Sequence, residues 1–141
     1  MKMKALWTVL PLLIIGLAAV VLWRGGEDVP TATLTLPCAD LVAGCHTRLL
    51  GHEVSIGLSG PVKPLQPFQV WVKAAGARKV QARFTMEGMD MGFNLYTLRA
   101  DGDGVFRARV TLPICVSGRR HWVMAVEIDG AVAKVPFSSD L

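Results

Sequence analysis

The chain has no G-x-S-x-G, no H-E-x-x-H, no Walker loop and no dinucleotide-binding fingerprint, and its one serine-rich spot, "FSSDL", closes the sequence. Its carboxylates are few and fall in turn-like segments. No template for catalysis is present, and the sequence reads as that of a non-enzyme. Internal repeats and low-complexity tracts are missing too. Basic residues do not form a run: "GARK" and "GRR" are short pairs in turns, read as solvated surface. Setting aside Lys2 and Lys4, 13 of the 15 Lys and Arg face 11 Asp and Glu, a net charge of +2. The pI of 9.3 therefore does not describe a nucleic-acid surface, and no nucleic-acid partner is expected.

What the chain does have is apolar content, 52% of 141 residues, and most of the excess lies at the front. Residues 5 to 23, "ALWTVLPLLIIGLAAVVLW", carry no charge, and as a helix they would measure about 28 Å, the hydrocarbon thickness of a bilayer. Lys2 and Lys4 precede the run, while Arg24 is followed by Glu27 and Asp28. The positive-inside rule then keeps the N-terminus in the cytoplasm and exports the rest. A cleaved signal peptide is the competing reading, but its apolar region spans about 7 to 15 residues and ends in small residues. This run is longer, ends in Val-Val-Leu-Trp-Arg, and is flanked by Trp7 and Trp23 as interfacial aromatics. No lipobox cysteine follows. Residues 1 to 24 are thus read as an uncleaved transmembrane signal anchor in a bacterial inner membrane, residues 25 to 31, "GGEDVPT", as a linker, and residues 32 to 141 as one periplasmic domain.

In that domain no helical period appears and the apolar residues recur every second position. Phe68, Val70 and Val72 alternate with Gln69, Trp71 and Lys73, Val80, Ala82 and Phe84 with Gln81 and Arg83, and Phe106, Ala108, Val110 and Leu112 with Arg107, Arg109 and Thr111, while Trp122, Met124, Val126 and Ile128 share a face. Weaker strands fall near 31–36, 53–59, 94–98 and 131–137, with turns at "ADGDG" and "IDG". Seven or eight short strands and no helix predict an all-β, immunoglobulin-like sandwich. Counting hairpins puts the loops at 86–93 and 113–120 at one end, so Met86, Met89, Met91, Cys115 and His121 should share it.

"MEGMDMG", residues 86 to 92, sets three soft thioethers in a Gly-bearing loop. Thioether and thiolate sulfur favour Cu(I), and imidazole suits several transition metals. Met86, Met89 and Met91, completed by Cys115 or His121, form a candidate Cu(I) site. The structural alternative is that Met86 continues the inward parity of Phe84 and that the other two cover the open end of the fold. Three cysteines cannot all pair within one exported chain. Cys38 and Cys45, in "CADLVAGC", are the expected disulfide in an oxidising compartment, placed by the hairpin count away from the Met end. Cys115 is left as a buried or ligating thiol, although its pairing with either of the others stays open. His46 and His52 read as surface or capping residues.

The order of features, an N-terminal anchor followed by "FTMEGMDMGFNLYTL" and "LPICVSGRRHWVMAVEI", resembles the small membrane-anchored FixH-like and YtkA-like proteins over roughly residues 78 to 130. The resemblance implies an immunoglobulin-like fold and a role in periplasmic copper handling or cytochrome oxidase assembly. It carries the methionine element onto Met86, Met89 and Met91, and the "LP" strand end onto Leu112 and Pro113. Cys115 stands where a Met is common in that family. The expected function is a membrane-tethered copper-delivery or oxidase-assembly factor that partners a membrane oxidase or a copper chaperone. A metal-free interaction module serving a membrane complex is the alternative.

Overall fold

The computed structural model describes residues 14–17, 19, 32–89, 94–114 and 118–140. Residues 14–17 are helical, and no helix among the described residues is long and apolar enough to cross a membrane. Most of the predicted anchor and all of the predicted linker lie outside the described residues, as do Met91 and Cys115.

Among the described residues from 32 onward, all regular structure is β. Nine strands follow one another: β1 (Ala32–Thr35), β2 (Cys45–Leu49), β3 (His52–Leu58), β4 (Pro67–Ala74), β5 (Val80–Met86), β6 (Leu95–Ala100), β7 (Val105–Thr111), β8 (His121–Ile128) and β9 (Ala131–Ser138). They form one mixed sheet in the order β1-β9-β8-β5-β6-β7-β4-β3-β2, antiparallel throughout except that β1 runs parallel to β9. The sequence predicted seven or eight strands, and the additional one is β2. It pairs with β3 from Cys45↔Ile56 to Leu49↔His52 across a two-residue turn at Leu50 and Gly51.

The sheet curls so that its two halves face each other, with β6 at the fold line. Its first residues pair with β5 (Arg83↔Leu95) and its last with β7 (Ala100↔Phe106). The alternation read from the sequence supplies the material in between. Val70 and Val72 of β4, Val80, Ala82 and Phe84 of β5, Val110 of β7 and Trp122, Met124 and Val126 of β8 are buried. Phe84 stands at the centre: its ring meets Phe68 from the opposite half edge-on at 6.1 Å, Tyr96 at 6.0 Å and Phe137 at 6.2 Å. Such edge-to-face pairs add about 0.5–1.5 kcal/mol each to area burial. Among the described residues every core side chain lies between Leu41 and Val135, with Leu36 and Phe137 packed against them.

The antiparallel order assigns each connection to an end. The β4–β5, β6–β7 and β8–β9 turns lie at the lower end, together with Ala32, which pairs with Ala131. The β8–β9 turn is a tight Asp129-Gly130 pair, both residues with positive φ (46° and 91°), a two-residue hairpin turn whose twist suits the flanking strands. The upper end holds the end of β5, the start of β8, the end of β9 and, from the other half, the segment between β1 and β2.

Candidate functional site

At the upper end the chain leaves β5 through a turn in which Met89 N–H donates to the Met86 carbonyl at 3.0 Å. Gly88 occupies the third position with φ 76°, a conformation that disfavours any residue carrying a Cβ. This turn separates the methionines. Met86 keeps the inward parity of Phe84, sits opposite Trp122 and is only 2% exposed. Met89, three residues on, is 43% exposed. Of the three thioethers expected on one open loop, the first belongs to the core, because the strand continues two residues past Phe84 before the glycine breaks it.

The turn is fastened to β8: Glu87 N–H donates to the His121 carbonyl at 3.2 Å. His121 is the exposed first residue of β8, and its Nδ1 lies 3.2 Å from Ser138 Oγ at the end of β9. The partner at Nδ1 fixes the ring edge and leaves Nε2 without a partner among the described residues. Met86, Met89 and His121 thus share one end, as the hairpin count required. The described neighbours of the undescribed segments, Met89 and Asn94 on one side and Ile114 and Gly118 on the other, belong to this end too; Asn94 is held there by its carbonyl, which accepts from Phe84 N–H at 2.9 Å.

Cys38 and Cys45 are joined in a disulfide, their Cα atoms 5.9 Å apart, within the span such a bond allows. Its position corrects the hairpin count. Because β1 runs parallel to β9, the chain climbs to the upper end before turning into β2, and Cys38 lines the same cleft as Glu87 and His121. The cleft measures about 580 Å³. The disulfide segment forms one wall and is stiffened by Asp40, whose Oδ1 accepts from Val42 N–H at 2.8 Å and Ala43 N–H at 3.1 Å. Leu58 N–H donating to Leu41 O at 2.9 Å ties that wall to β3. Trp122, Pro136 and Phe137 supply the facing apolar surface. Trp122 Nε1 is buried beside it and has no hydrogen-bond partner among the described residues.

His46 and His52 stand apart from this end group. His46 Nδ1 is 2.8 Å from Ser55 Oγ on the outer surface of the sheet, and His52 begins β3 at the lower end. Among the described residues no three His, Cys, Asp or Glu side chains gather as a metal site, a grouping that takes no account of thioethers. What the described donors offer is one exposed thioether on the turn after β5 and one imidazole edge at the start of β8, a soft and borderline pair suited to a thiophilic ion and not to calcium or magnesium. Comparison with known proteins finds no family model that matches the chain, and no curated protein and no solved structure that matches it.

Proposed function

We propose that this chain is a single-pass inner-membrane protein whose immunoglobulin-like periplasmic sandwich binds Cu(I) at its upper end and hands it to a membrane oxidase or a copper chaperone. The ligand set on this reading is Met89, Met91, Cys115 and His121, with Met86 as the buried residue that anchors the turn. One observation supports it: the turn that carries the exposed Met89 is hydrogen-bonded, through Glu87 N–H, to the carbonyl of His121 at the start of β8, at the end opposite Ala32. Tethering keeps donor and acceptor in one membrane plane and raises their effective concentration without a larger interface. The resemblance to the FixH-like and YtkA-like proteins supports the same reading.

The test is Cu(I) titration of the full chain in detergent, under reducing conditions and against a competing chelator. One tight site is expected, lost in Met89→Ala/Met91→Ala and weakened in His121→Ala. Affinity unchanged by the double substitution contradicts the proposal. If the parent chain binds no copper, the cleft beside the disulfide, with Leu41, Val42, Pro61 and Phe137 on its walls, favours a metal-free docking module for a membrane complex.

A further inference from the structure

The outer face of the half-sheet formed by β4 and β7 concentrates cationic charge. Arg107 stands directly across from Trp71 on β4 and from Arg99 on β6, while Arg109 stands across from Gln69 and Lys73 across from Val105. Spacings of about 5 Å between strands and about 7 Å along them set Arg99, Arg107, Arg109 and Lys73 close together on one outer face. Like charges directly opposite one another destabilise a sheet, so Arg99 beside Arg107 costs the fold something it could avoid. Arg107 is held in place: its Nε lies 2.7 Å from Asp101 Oδ2 and its Nη1 3.4 Å from Gln69 Oε1. Lys73, Arg99 and Arg109 are exposed and have no carboxylate partner among the described residues.

Beside the array the side chain of Trp71 lies across Gly57 and Gly44. A Cβ on Gly57 would overlap Trp71 Cζ2 and Cε2, and one on Gly44 would come within 2.7 Å of Cη2. Two glycines on the neighbouring chain segments therefore let the half-buried indole settle into the sheet surface instead of standing above it. The indole lies over β3 and the segment before β2, so this amphipathic ring borders the cations of β7 and β6 on the far side of β4. The opposite outer face, with Arg83, Glu127 and Lys134 about Ala125 and Val123, mixes its charges.

We infer that the β4–β7 outer face docks on an anionic phospholipid surface. An exposed cationic array bordered by an amphipathic aromatic fits a surface of phosphate headgroups better than a single buried anion, for which the described residues of this face offer only an open depression at Gln69 and Arg109. The significance of this contact rests on the tethered reading above: a face with so few charges binds a membrane weakly by itself and acts as an orienting contact once a tether supplies proximity. With this face down, the strands lie along the bilayer and the Met89–His121 end points sideways, toward neighbouring proteins in the same membrane.

The experiment is vesicle flotation of residues 32–141, comparing phosphatidylcholine alone with phosphatidylcholine mixed with phosphatidylglycerol. Lacking the N-terminal run, this domain reports on the face whether or not that run spans a bilayer. Binding to the anionic vesicles only, falling with added salt, is expected, and Lys73→Gln/Arg99→Gln/Arg109→Gln should lower the partition coefficient about a hundredfold. Arg107 is left intact because Asp101 depends on it, and unchanged thermal unfolding shows that the variant is folded. The control Lys79→Gln/Arg83→Gln/Lys134→Gln removes the same charge elsewhere and should keep most of the binding. Equal binding to neutral vesicles, an equal loss in the control, or displacement by glycerol phosphate at constant ionic strength would each overturn the inference.

Discussion

Asp129 does two things at the lower end of the fold. As the first residue of the β8–β9 turn it takes a positive φ that aspartate tolerates better than most residues. Its carboxylate also reaches the β4–β5 connection, accepting from Lys79 N–H at 2.9 Å and from Arg78 N–H at 3.1 Å. Those two backbone donors hold its carboxyl below the ordinary value of 3.8. A folded pKa below the unfolded one means that the contribution is complete above about pH 4 and is lost as pH falls through the folded value. Asp129→Asn keeps the turn conformation and one acceptor but cannot titrate. The gap between thermal midpoints measured at pH 7 and at pH 3 should therefore narrow in this variant; an unchanged gap would assign the acid sensitivity to other carboxylates.

Among the elements, the segment between β1 and β2 has the most to lose. It contains almost no regular structure, yet it walls the cleft, and its hold comes from the Cys38–Cys45 bond, the Asp40 turn and the Leu41–Leu58 backbone bond. Closing so short a loop stabilises by about 2.5 kcal/mol in the chain-entropy account. Cys38→Ser/Cys45→Ser should lower the urea-unfolding free energy by about 2 kcal/mol, with part of the loss coming from the buried Cys45 side chain. If stability is instead unchanged, the bond contributes nothing to the fold and a structural role for it is excluded. This segment is also where the sequence was least legible. Period-two alternation located β4, β5, β7 and β8 because one face of each is buried, and the parity of Phe84 already pointed Met86 inward. β2 escaped because "CHTRL" puts a cysteine and a threonine on the inner face, and because its turn places Leu50 at φ 50° without an Asn-Gly or Asp-Gly signature. Periodicity also carries no information on strand direction. The parallel pairing of β1 with β9 could not be read, and with it went the true end of Cys38. The placing of Met89 and His121 at one end, by contrast, needed only antiparallel neighbours and was legible.

For the molecule as a whole, the division that matters is between the core built by the described residues and the apolar run that precedes it. On the tethered reading proposed above, and because every core residue among the described ones follows position 40, a chain lacking residues 1 to 24 should leave the membrane fraction after carbonate extraction and keep the thermal midpoint of the full-length protein. A truncated chain that unfolds would show that the N-terminal run contributes to the fold itself.

On the tethered reading proposed above, the strand that would join this core to its anchor is β1, four residues long, exposed at every position and attached along one edge to β9. Peeling it away would expose little apolar surface, and it would lengthen the leash by about 13 Å. The domain would then gain room to roll and pivot over its neighbours while the rest of the sheet remained intact.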